Sequence, residues 1–162
     1  MDKLKNLIYL FNLGYHLIEL YGINEQGSCT CHRGSLCSCS GKHPVNFGWQ
    51  DKVIKSEDEL KSILENRPNA NFGIVTGNGL VVIDIDPRHG GLESLEKIKD
   101  KLPLPEITVK TGGGGYHFYF RTENSTGNKV NVLPGIDIRG DGGFVVAPGS
   151  KHKSGKYYII EK

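Results

Sequence analysis

Apolar positions recur at Leu4, Leu7, Ile8, Leu10 and Phe11, close to helical spacing, and predict a helix over residues 2–13 that Gly14 ends. Tyr15–Tyr21 reads as a strand. The polar, Cys- and Gly-rich stretch 24–48 reads as a long loop, and a loop of that length needs a function or a clip to order it. Ser56 with Glu59 three residues on is a capping box for a helix through about Asn66. Arg67–Asn71 turns the chain into a strand at Phe72–Thr76. Gly77-Asn78-Gly79 is a tight-turn signal ahead of a strand at Leu80–Asp86, so these two strands are expected to form a hairpin.

Gly90-Gly91 opens a further helix to about Leu102, stopped by Pro103 and Pro105. Strands follow at Ile107–Thr111 and Tyr116–Arg121, joined by the four glycines 112–115. Residues 122–134 are a polar excursion, and three more strands are predicted at Gly135–Arg139, Phe144–Ala147 and Lys156–Ile160. The pattern is mixed α/β with a largely antiparallel second half.

At 162 residues, with 37% hydrophobic and 23% charged positions, the composition is that of a globular domain. Lys and Arg total 20 against 18 acidic residues, a net charge of +2 that excludes a protein coating nucleic acid through overall charge. No apolar run reaches the roughly 20 residues of a membrane span. The start of the chain has two lysines ahead of an apolar stretch, but Asn12, His16 and Glu19 interrupt it and no small-residue cleavage site follows. A cytosolic domain without membrane association is the expectation.

Candidate chemistry is concentrated in a few places. All four cysteines lie between Cys29 and Cys39, with His32 and His43 nearby, which suits a zinc knuckle better than a disulfide framework. Strand alternation puts Asp84 and Asp86 on one face and Val81, Ile83 and Ile85 on the other. Such a pair either ends a strand beside a turn or holds cations of the kind used in phosphoryl transfer. Asp137 and Arg139 repeat the arrangement, although acids are poor strand formers. His117 and Tyr119 face one way while Tyr116, Phe118 and Phe120 face the other, and the preceding glycine run would let backbone N–H groups approach an anion. That run is neither a Walker A loop nor a dinucleotide-binding fingerprint. The basic loop 149–156 is either a phosphate contact or a solvated turn.

Seven segments in order resemble the bifunctional primase–polymerase domain of the archaeo-eukaryotic primase superfamily, found in plasmid, phage and integrated-element replication proteins. They are Ser40-Gly41-Lys42-His43-Pro44, Gly48-Trp49, Asn69–Gly77, Val82–Arg88, Thr111–His117, Ile136–Gly143 and Ala147–Ser150, which together span nearly the whole chain. The resemblance implies an α+β catalytic core with a sheet subdomain similar to an RNA-recognition module and a small zinc-binding loop. It implies one primase–polymerase domain over 1–162, a fragment of a longer replication protein, with the zinc knuckle at 29–43.

By the same resemblance, Asp84, Asp86 and Asp137 hold catalytic Mg²⁺ or Mn²⁺, and His117 binds the incoming nucleotide. Arg139, Ser150 and His152 lie near the phosphates. Cys29, Cys31, Cys37 and His43 bind a structural Zn²⁺, with Cys39 as the alternative fourth ligand. The implied reaction is template-directed nucleotidyl transfer by a DNA primase/polymerase, through a two-metal mechanism at Asp84, Asp86 and Asp137. Its partners are nucleoside triphosphates, single-stranded or primed DNA and a helicase or helical domain, in the cytoplasm of a prokaryotic cell. Two other readings of the same residues are a non-catalytic nucleotide- or DNA-binding module and a metal-dependent phosphohydrolase.

Overall fold

The computed structural model describes residues 2–161. In chain order its elements are α1 (Lys3–Asn12), β1 (Leu17–Leu20), α2 (Glu57–Asn66), β2 (Asn71–Val75), β3 (Leu80–Ile85), α3 (Gly91–Ile98), β4 (Ile107–Lys110), β5 (Tyr116–Arg121), β6 (Lys129–Leu133), β7 (Ile136–Arg139), β8 (Phe144–Val146) and β9 (Ile159–Glu161). The fold is mixed α/β with antiparallel sheets, and the chain divides into two compact units.

The first unit comprises Met1–Val75 and Val146–Tyr158. The Asp2 carboxylate accepts from the Lys5 N–H at the start of α1, and Leu7 and Leu10 bury completely one turn apart. The Ser56 hydroxyl accepts from the Glu59 N–H at 3.1 Å, while the Glu59 carboxylate reaches back to the Lys55 N–H at 2.8 Å. The box therefore closes one residue earlier than the usual reciprocal pair. α1 packs on α2. Strands β1, β2 and β8 form a three-stranded sheet in that order, with Leu17 opposite Ile74 and Leu20 opposite Asn71. Leu17, Ile18, Leu20, Leu60, Phe72 and Ile74 are shut off from solvent and form this unit's core.

The polar stretch 24–48 is pinned at both ends rather than free. Ile23 bridges Cys29, and the Tyr21 N–H donates to the His43 carbonyl at 3.0 Å. The Val45 N–H donates to the Glu19 carbonyl, so the returning end lies beside β1.

The second unit comprises Thr76–Val145 and Ile159–Lys162. Its six-stranded antiparallel sheet has the order β6-β7-β3-β5-β4-β9, with β3 between β7 and β5. The expected hairpin between residues 72–76 and 80–86 does not form. The turn is there, with Gly77 and Leu80 exchanging backbone hydrogen bonds, but β2 pairs with β1 and β8. Both edges of β3 are taken by β5 and β7, and Thr76 is held by the Gly143 and Gly140 carbonyls. The polar excursion 122–134 contains β6, all five of whose residues are exposed. The last helix is α-helical only to Ile98, and residues Lys99–Lys101 tighten into a 3₁₀ turn.

Two glycine contacts fix the ends of β3 and β5. A Cβ on Gly115 would fall 1.9 Å from the Ile85 carbonyl oxygen, and one on Gly91 would fall 2.6 Å from the carbonyls of Asp86 and Gly135. Only glycine admits such close approach of neighbouring backbone.

Candidate active site and metal centre

Cross-strand register brings three of the candidate residues side by side. Asp84 lies opposite Asp137 in the β3–β7 ladder and opposite His117 in the β3–β5 ladder. Directly opposed residues of neighbouring strands share a face, so Asp84 stands between a carboxylate and an imidazole at about 5 Å strand spacing. His117 Nε2 is 3.5 Å from Asp84 Oδ1, with the imidazole 6% and the carboxylate 29% exposed. Val82 and Tyr119, wholly buried, share this face, whereas Ile83, Tyr116 and Phe118 on the opposite face are half-buried. The acids thus stand at the end of a buried layer, not on an open polar face.

Asp86 follows the last residue of β3. Its N–H donates to the Gly135 carbonyl and its own carbonyl accepts from the Gly91 N–H, which fixes its backbone. Its carboxylate accepts from Arg88 Nε at 3.0 Å and Nη2 at 2.6 Å, from the Arg88 N–H, and lies 3.1 Å from His89 Nδ1. The Arg88 hydrogen bonds hold this carboxyl well below the usual carboxylate range, against the opposing effect of burial. Asp137 is engaged as well: Oδ2 accepts from Arg139 Nη2 at 2.7 Å and Oδ1 from the Asn131 N–H at 2.7 Å. Arg88 and Asn131 were not singled out in the sequence. An arginine two residues after an acid was the available signal for the first, and none existed for the second.

The glycine run 112–115 forms the β4–β5 turn. The Gly114 N–H donates to the Thr111 carbonyl and the Gly115 N–H to the Thr111 hydroxyl, so two of its N–H groups are spent inside the turn. Ser150 and His152 belong to the first unit. The Ser150 hydroxyl accepts from the Phe72 N–H at 3.0 Å and lies 3.2 Å from the Phe72 carbonyl, which ties the chain after β8 to β2. His152 Nδ1 accepts from the Ser154 N–H, and its ring meets Tyr158 edge-on at 6.2 Å.

Cys29, Cys31, Cys37 and His43 converge in the first unit, their donor atoms all within 4.8 Å of one another. Among the described residues this is the one set of three or more His, Cys, Asp or Glu side chains gathered so closely. His43 Nε2 lies 3.5 Å from Cys29 Sγ and 3.4 Å from Cys37 Sγ. Zn–S bonds of about 2.3 Å and Zn–N bonds of about 2.0 Å at tetrahedral angles give S···N edges of about 3.5 Å, which the two His43–cysteine separations match. Burial, with the Arg33 and His32 charges adding to it, holds the His43 imidazole below its usual range and favours the neutral ring that ligates metal. Cys39 stands outside this set, exposed, with its sulfur 3.8 Å from the Ser38 hydroxyl.

Residues 7–162 match the family described as bifunctional DNA primase/polymerase, N-terminal. No curated protein matches the chain.

Proposed function

Because this chain belongs to the bifunctional DNA primase/polymerase family, we propose that it performs template-directed nucleotidyl transfer at the acids of the β3–β7 ladder. The observation that carries the reading is the register that sets Asp84 directly between Asp137 and His117. All-oxygen donors at half-buried positions suit a hard divalent cation such as Mg²⁺ or Mn²⁺. Asp84 and Asp137 would hold it, with Asp86 joining once its carboxylate turns from Arg88. A cation held there would lower the pKa of the primer 3′-hydroxyl and offset the charge of the triphosphate.

The remaining work falls to the chain's own side chains. His117 is oriented by Asp84 and is placed to touch a triphosphate bound at the acids. Arg139, bonded to Asp137, bridges that carboxylate to phosphate, and Arg88 is freed to meet phosphate once Asp86 turns to the cation. The Cys29/Cys31/Cys37/His43 set holds a structural zinc that orders residues 24–48. The partners are nucleoside triphosphates, a single-stranded or primed DNA template, and a helicase or helical domain acting on the same template.

Incorporation of a labelled nucleotide on a primed template with Mg²⁺ or Mn²⁺ tests the reading. Asp84→Asn should lower incorporation on the order of a hundredfold or more, with the fold retained. His117→Ala should raise the KM for nucleotide. Triphosphate hydrolysis without incorporation would replace this reading with a phosphohydrolase. Binding without either reaction would leave a recognition module.

A further inference from the structure

A second site lies wholly within the first unit. An open pocket of about 430 Å³ is lined by Lys3 at the start of α1, by Ile23 and Glu25, by Pro68, and by Lys151 and Tyr157 from the segment after β8. That volume falls in the range of small-ligand pockets, roughly 300–1,000 Å³. Two ammonium groups share it, and among the described residues neither is ion-paired.

Neutral carbonyls position both amines. Lys3 Nζ donates to the Ala70 carbonyl at 2.8 Å and more weakly to that of Pro68 at 3.4 Å, and Lys151 Nζ donates to the Asn24 carbonyl at 3.2 Å. Each ammonium carries three N–H donors, so both lysines retain donors for a ligand or water. Carbonyl contacts account for where the amines sit but do not neutralise two facing charges. The cost is visible at Lys3, whose amine is held down to about 8 by burial and by the neighbouring Lys151 charge. Exposed Glu25 is the one carboxylate on the wall, which leaves the pocket net positive.

The backbone from which the Lys151 side chain projects is fixed. The Lys151 N–H donates to the Asn71 side-chain oxygen and its carbonyl accepts from the Asn71 amide, at 2.8 Å each, and Asn71 is fully buried. The apolar walls of Ile23 and Pro68 and the half-exposed Tyr157 ring at the rim suit a ligand with a planar or sugar portion behind its charge.

We propose that this pocket binds a phosphate group, carried by a free nucleotide or by a nucleic-acid strand, between the Lys3 and Lys151 ammonium groups. It uses none of the acids, nor His117, Arg139, Ser150 or His152, and so stands independently of the transfer reaction.

Titration calorimetry of the full chain in Mg²⁺- and Mn²⁺-free buffer tests it, with three probes: dTTP, a ten-residue oligothymidylate bearing a 5′-phosphate, and the same strand with a 5′-hydroxyl. At least one should bind, and Lys3→Met and Lys151→Met should each weaken it about tenfold or more, because each removes a charge-assisted hydrogen bond. Asp84→Asn should leave this binding within twofold while incorporation is lost, which separates failure of the pocket from failure of the catalytic reading. Preference for dTTP or the 5′-phosphorylated strand identifies a terminal phosphate. Equal binding of both strands with none of dTTP identifies backbone phosphate. Should Lys3→Met fail to fold, Lys151→Met decides alone, since its amine makes one weak carbonyl bond. Absence of binding by all three probes at millimolar concentration, or affinity unchanged in the folded lysine variants, would overturn the proposal.

Discussion

Glu19 is the most demanding side chain of the first unit. It lies on β1, all four of whose residues are buried, and its carboxylate is only 6% exposed. Arg67 meets it with Nε 2.6 Å from one oxygen and Nη2 2.7 Å from the other. Burial pushes the Glu19 carboxyl up and the Arg67 charge pulls it back, with the net direction upward. The ionised form is thus the disfavoured one in the fold, and its cost appears as pH rises through the raised pKa. Arg67→Met would leave the carboxylate buried without its partner. We expect a loss of about 3 kcal/mol at neutral pH, the low end for breaking a buried pair because Arg67 is 56% exposed. Without Arg67 the Glu19 pKa rises further, so the deficit should shrink as pH falls and the carboxyl takes up its proton. Urea denaturation at pH 7 and pH 4.5 checks this. An equal deficit at both values would mean that the arginine contributes packing rather than charge.

Among the elements, the segment 24–48 depends most on something outside its own sequence. Cys29 and Cys31 are buried, but Leu36 and Phe47 face solvent, so apolar packing alone gives the stretch little stability. A metal held by Cys29, Cys31, Cys37 and His43 would supply the missing cross-link. Elemental analysis should find one zinc per chain, and chelation should raise amide exchange across 24–48 before it does so in β3 or β5. Cys37→Ser should lose more zinc than Cys39→Ser, and an equal loss from both would make Cys39 a ligand in place of His43.

This loop, like both capped helices, was legible from spacing and side-chain chemistry, which act over a few residues. The faces of β3, β5 and β7 were legible as well, because alternation alone sets which residues share a side. Two features were not. Gly77-Asn78-Gly79 makes its local turn, yet β2 takes partners more than 50 residues away in sequence on both sides, and a turn motif carries no information about them. β6 was missed although Val130 and Val132 alternate with Lys129 and Asn131, because the run is only five residues long and is set among the polar residues of 122–128. Likewise, the acids could be assigned a face but not their ion pairs with Arg88 and Arg139, which depend on rotamers rather than spacing.

At the scale of the whole molecule, each unit is assembled from segments that are discontinuous in sequence. The first requires Val146–Tyr158 to return to Met1–Val75, and the second closes with Ile159–Lys162. Contacts of that separation form late and slowly, and leave sheet edges unpaired in the interval. β6 remains at the end of its sheet even in the finished fold, with Val130 at 69% and Val132 at 41% exposure. Its ladder with β7 is irregular between Lys129 and Leu133, and Asn131 between them sits at φ +51°. A left-handed residue in the middle of an edge strand spoils the template that another chain would need to pair with it, and Lys129 adds a charge that a β-stack would have to bury. Asn131→Val replaces a residue tolerant of that backbone with one that favours the extended form. Light scattering of concentrated, folded Asn131→Val protein should then report growing assemblies, where the parent chain stays dispersed. If both solutions scatter alike, the kink is not the guard. If assemblies do grow, the same bend that lends Asp137 its backbone hydrogen bond also keeps the edge strand of the parent chain from pairing with a second copy.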